Sequence, residues 1–159
     1  MTDVQTDVRA ENRSAPGAPE LTPEAIAFAH RMFDAARHGD GVLLQAVDAG
    51  LPVDMTNDEG NTLLMLAAYN GHVELVKGLI ERGADVDRAN DRGQAPLAGA
   101  VFKGFDALAR LLVAAGADPH AGTPSAVQTA RMFGQDALLA LMTARAGAGQ
   151  EGGAPEGGA

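Results

Sequence analysis

The sequence predicts an all-α solenoid of stacked helix pairs with projecting β-turn loops, and three observations carry that prediction. The chain matches itself at an offset of 33 residues. Its apolar content is 46% but its aromatic content only 4%, with no Trp, so the core must be built from Ala, Leu, Val and Met, which suits closely packed helices. Glycine recurs where apolar segments stop.

The offset aligns Asn57 with Asn90, Asp58 with Asp91, Gly60 with Gly93, Leu64 with Leu97, Ala67 with Ala100 and Gly71 with Gly104. It also aligns Leu75 with Leu108, Leu79 with Leu112, Gly83 with Gly116, Ala84 with Ala117 and Asp85 with Asp118. At 159 residues the chain has room for one core, so these copies must share it.

Residues 1–21 mix Asp, Glu, Asn, Ser and Pro with little hydrophobic content, and are expected to form a disordered N-terminal tail. The folded domain is expected over 22–145, in units of about 22–56, 57–89, 90–120 and 121–145. The first unit is degenerate: Ala35, Ala36 and Gly39 match Ala67, Ala68 and Gly71 at a spacing of 32, whereas Gly50, Val53 and Asp54 match Gly83, Val86 and Asp87 at 33, so its second helix is one residue short. Its first helix has a clear start, with Thr22 to cap, Pro23 at the first helical position and Leu21 to pack on Ile26.

In the second unit TLLMLAAYN forms a helix that Gly71 ends. A second helix, with Leu75, Val76, Leu79 and Ile80 on one stripe, ends at Gly83. The third unit repeats this plan, with Gly104 and Gly116 as stops. In the fourth, Ala130 and Gly134 match Ala100 and Gly104 at a spacing of 30, so its connecting loop is short. A truncated last unit suits a stack whose outer face has no neighbour. Residues 146–159, where EGGA occurs twice, are expected to form a disordered Gly-rich tail.

The absence of Cys excludes disulfides, thiolate metal sites and a cysteine nucleophile, and fits a reducing cytoplasm. No basic start followed by an apolar stretch opens the chain, and no run of apolar residues is long enough to span a bilayer. The net charge is −9, spread along the chain without a basic face, which disfavours nucleic acid and anionic membrane as partners.

The string DEGNTLLMLAAYNGHVELVKGLIERGADVDRAND resembles the ankyrin repeat. That pattern has an Asp/Asn–x–x–Gly–x–Thr–Pro–Leu start, an Ala pair, Gly-His, an apolar second helix and Gly-Ala-Asp. Two units match closely and two loosely, over about residues 24–145. Leu63 and Met65 stand where the family usually has Pro and His, and Ala95 and Ala98 replace Thr and His, which predicts fewer hydrogen bonds between repeats and more reliance on Leu and Ala packing. The resemblance implies an L-shaped stack with a concave surface that binds other proteins, in a class that is not enzymatic. Some small bacterial members resemble accessory proteins of catalases or of haem handling.

Chemistry has little to build on. His72 occupies the family's Gly-His position and is expected to be structural; His30 and His120 read as surface residues, and His38 as a groove-facing one. Asp85 and Asp87 alternate and Asp58 adjoins Glu59, yet Asp85 and Asp118 recur at the repeat period, as turn residues do, and no calcium loop is present. There is no GxxxxGK[ST], no GxGxxG after a strand and no GxSxG. The expectation is a cytoplasmic, monomeric, non-catalytic module without a cofactor, binding an unidentified protein. The alternative is a haem or metal accessory using His38 or His120.

Subtracting the residues that the repeat needs leaves two rows of candidate contacts. At the ends of the first helices these are Arg37 and His38, Tyr69 and Asn70, Phe102 and Lys103, and Met132 and Phe133. At the loop tips they are Asp58, Glu59 and Asn61, then Asp91, Arg92 and Gln94. Both rows are expected to face one groove. Tyr69 and Phe102, 33 residues apart, are expected to stand side by side as aromatic anchors; for Phe133, packing on a neighbouring loop is equally compatible with the sequence.

Overall fold

A computed structural model of the protein describes residues 8–9 and 22–153. Each unit contributes two antiparallel helices. The first unit has α1 (Pro23–His38) and α2 (Val42–Asp48), the second α3 (Leu63–Tyr69) and α4 (Val73–Glu81). The third has α5 (Pro96–Lys103) and α6 (Asp106–Ala114), the fourth α7 (Ala126–Met132) and α8 (Asp136–Gly153). The first helices pack in a row, α1 on α3 on α5 on α7, and the second helices form a parallel row behind them. This is the stacked solenoid that the repeat predicts.

The stack is dry where the repeat places Leu and Ala. Leu43, Leu64, Ala67, Leu79, Ala100, Leu108 and Leu112 are fully buried. On α4 the expected stripe holds, with Leu75, Val76 and Leu79 buried and Ile80 half-buried at its edge. Each fully buried Leu contributes about 1.5–3 kcal/mol, so a short helix that could not persist alone is held by its neighbours.

Helix starts differ from unit to unit. The side chains of Thr22 and Thr62 accept from the main-chain N–H groups of Ala25 and Met65, each at 3.0 Å. Ser125 accepts from Gln128 N–H at 3.1 Å while the Gln128 side chain accepts from Ser125 N–H at 2.8 Å, a complete capping box. Ala95 offers no side-chain cap, and Pro96 behind it supplies the helical φ instead. The stops are more uniform: Gly71 and Gly104 lie in the left-handed region at φ 78° and 77°, where a Cβ would be strained.

The expected tails, 1–21 and 146–159, fall largely outside the described residues, Leu21 among them. Two described parts bear on their limits. A short strand β1 (Val8–Arg9) pairs antiparallel with β2 (Thr56–Asn57), Val8 facing Asn57 and Arg9 facing Thr56. Helix α8 continues past residue 145 to Gly153.

Candidate functional site

Asparagine builds the loop-tip row. Asn57 Oδ1 accepts from the N–H groups of Glu59 and Asn61 at 2.9 and 3.0 Å, and Asn90 Oδ1 accepts from those of Arg92 and Gln94 at 3.0 Å each, so each Asn closes its own loop. The closed loops then bond to one another. Asp91 N–H donates to Glu59 C=O at 3.0 Å, and Asn90 Nδ2 donates to Asn61 Oδ1 at 2.8 Å. Arg92 lies 3.8 Å from the Glu59 carboxylate, a loose, exposed pair.

The helix-end row is built by packing. Tyr69, half-buried, lies over Gly99 of α5, where a Cβ would come within 3.0 Å of its ring. The Lys103 ammonium sits 4.9 Å from the Tyr69 ring centroid. Phe102 pairs with Phe133, their centroids 5.7 Å apart and their planes tilted by 53°. Thus Phe102 and Tyr69 each have a different neighbour rather than each other. The shorter spacing of the last unit sets Phe133 in the register of Lys103 and Met132 in that of Phe102. Phe102, Met132 and Phe133 remain 57%, 63% and 51% exposed.

Glu59, Asn61, Tyr69, Asn70, Arg92 and Gln94 line one concavity of about 250 Å³, together with Met65, Leu66 and Asn90. The loop-tip row meets the helix-end row there only at Tyr69 and Asn70; Phe102, Lys103, Met132 and Phe133 do not line the concavity. Asn61 is buried at 8% in the bonding between loops, while Asp58 and Asp91 are exposed beside the concavity. Arg37, ion-paired to Asp34 at 2.7 Å, and His38, whose Nδ1 donates to Asp34 C=O at 2.8 Å, lie at the first unit's helix end, outside the concavity.

Sequence reasoning passed over Met65, Leu66 and Asn90. The signals were there: Met65 departs from the family's His, and Asn90 recurs from Asn57.

The other polar columns hold the stack. His72 stands at the start of α4 but does not cap it; its Nε2 donates to Arg37 C=O of the preceding unit at 2.7 Å. In the fourth unit Gln135 takes that part, donating to Val101 C=O at 2.9 Å, and in the third Phe105 packs on Gly71 instead. The alternating acids form a ladder: Asp85 N–H donates to Asp54 and Asp118 N–H to Asp87, at 2.9 and 2.8 Å. Burial raises the Asp87 pKa, and Asp118 and Asp85 push it the same way, against the lowering effect of the Asp118 N–H. Among the described residues no group of three His, Asp or Glu could hold a metal, and no helix is long and apolar enough to cross a membrane.

The family model described as ankyrin repeats, three copies, matches residues 32–123, more than half of the chain. A curated protein of Pseudomonas aeruginosa, named as an ankyrin repeat protein, is 45% identical over 60 residues. Those residues are 37% of this chain and 35% of that protein, so the match spans about a third of the relative's length.

Proposed function

Because the chain belongs to the ankyrin-repeat family, we propose that it is a non-catalytic adaptor or modulator that holds a partner protein in the concavity between its loop tips and first-helix ends. The observation that carries this reading is the convergence of six residues, left over once the repeat is subtracted, on one concavity. Exposed rings at Phe102 and Phe133 extend the same edge and offer rigid anchors. The cysteine-free composition supports a reducing compartment such as the cytoplasm, and the protein is read as a monomer, which size-exclusion chromatography with light scattering checks.

The test is affinity capture followed by calorimetry with the captured partner. Replacing Tyr69 and Phe102 together by Ala is expected to weaken binding on the order of a thousandfold, from roughly 2 kcal/mol or more per anchor. Circular dichroism must show the helices retained, because Tyr69 is half-buried. Unchanged affinity in a folded double variant would place the contact elsewhere on the stack.

A further inference from the structure

We propose that the concavity takes an extended peptide segment of the partner, with one apolar side chain on its floor, a main-chain peptide unit against Gln94 and Asn70, and an acidic side chain beside Lys103. The inference rests on the protein-binding reading and adds the chemistry of what is bound.

The orientation of the side-chain amides is fixed by their partners. Asn90 Oδ1 accepts two main-chain N–H groups, so its nitrogen must donate, and it does so to Asn61 Oδ1 at 2.8 Å and Gln94 Oε1 at 2.7 Å. With its oxygen taken, Gln94 presents its amino group, which has no partner among the described residues. Asn70 is the converse: its Nδ2 donates to Leu66 C=O at 2.8 Å, and its Oδ1 has no partner among the described residues. The concavity thus offers one uncharged donor and one uncharged acceptor, from neighbouring units, over Met65 and Leu66. A peptide unit carries the matching C=O and N–H, and an extended chain presents them free of internal bonds. An apolar ligand that lacked them would leave both amides unsatisfied.

Size and charge narrow the occupant further. About 250 Å³ is below the ~300–1,000 Å³ of sites for whole small molecules, and suits one side chain with its peptide unit. Arg92 at the loop-tip rim faces Glu59 at 3.8 Å, whereas Lys103 above Tyr69 makes no ion pair among the described residues. Among the described residues, Lys103 therefore stands as a cation without a carboxylate partner at the Tyr69 side, just outside the lining of the concavity, whereas the acids Asp58, Glu59 and Asp91 belong to the loop tips. An acidic side chain is the complement there.

A random-peptide phage library panned on the full chain tests this, with Gln94→Glu and Lys103→Glu as variants. Gln94→Glu keeps an acceptor for Asn90 while removing the outward donor. Peptides selected on wild type are expected to pair an apolar residue with a nearby Asp or Glu and to bind Gln94→Glu about tenfold more weakly. Lys103→Glu, a change at an exposed position, is expected to select Lys or Arg in place of the acid. Acid-free peptides on wild type, the same peptides on Lys103→Glu, or binding to Gln94→Glu within about twofold of wild type would overturn the proposal. If a captured protein loses binding in the Tyr69 and Phe102 double variant while the library yields no such pattern, this inference fails and the broader reading stands. No captured protein and no selected peptide would remove both.

Discussion

The two rows that meet in the concavity are held in opposite ways. The loop-tip row is bound by hydrogen bonds, within each loop through Asn57 and Asn90 and between loops through Asn61 and Glu59. The helix-end row is positioned by packing, with Tyr69 against Gly99 and the rings of Phe102 and Phe133 against each other, and the second pair stays largely exposed. Residues spared by the repeat pattern are thus not equally free: Asn61 belongs to the scaffold of the surface, whereas Phe102 and Met132 belong to its face.

The scale for any such contrast is the core beneath both rows. Leu79→Ala and Leu112→Ala are each expected to lower stability by about 2–5 kcal/mol, because both side chains are fully buried on second helices and would leave cavities. Urea denaturation checks this, and unchanged midpoints would mean that the helix rows are wrongly registered.

The contrast breaks most directly at Asn90. Asn90→Ala strips two main-chain N–H groups and two side-chain oxygens of their partner and is expected to cost about 1–3 kcal/mol. Asn90→Asp keeps the acceptor and loses the donor, so comparing the two by denaturation separates closure of the loop from attachment to its neighbour. If Asn90→Ala is silent, the loop row is not held as described.

At the other row, replacing Phe102 and Phe133 together by Ala is expected to cost about 0.5–1.5 kcal/mol for the aromatic pair and roughly 1 kcal/mol more for the covered half of each ring. A larger loss in thermal or chemical unfolding would make these rings part of the core.

The smallest effect is expected at Asp87. Its raised pKa means that the native state holds the proton more tightly than the unfolded chain. Its contribution is therefore fully present below the ordinary carboxylate range and is lost as pH rises through the raised value. Asp87→Asn, which keeps an acceptor for Asp118 N–H, is expected to match or exceed wild type in stability at neutral pH, with the difference closing in acid. Denaturation midpoints across pH read this; a deficit at neutral pH that disappears in acid would reverse the sign.

Much of the fold could be read from the sequence because it rests on local rules. The Leu and Ala columns, the stops at Gly71 and Gly104 and the start at Thr22 and Pro23 each follow from helix geometry within a few residues. The candidate site was legible as two rows, but not in its internal contacts. Asn90 reads as turn punctuation until a neighbouring loop supplies Asn61, and the sharing of one column among His72, Phe105 and Gln135 depends on partners about 34 residues away. The pairing of Phe102 with Phe133 was hidden because it joins positions that do not correspond: the 30-residue spacing puts Met132, not Phe133, in the register of Phe102.

The acid ladder has a mechanical consequence when taken with the bonds at the loop tips. The loop that leads from the first unit into the second is tied to the loop that leads from the second into the third at its root, through Asp54 and Asp85, and again at its tip, through Glu59 and Asp91. The next pair repeats the arrangement, with Asp87 to Asp118 at the root and Gly93 to Thr123 at the tip. A loop fastened at one point can swing like a hinge; fastened at two, it resists twisting and shares any load with its neighbours. The three loops therefore behave as one corrugated panel, so that a force applied to one tip is borne by all three.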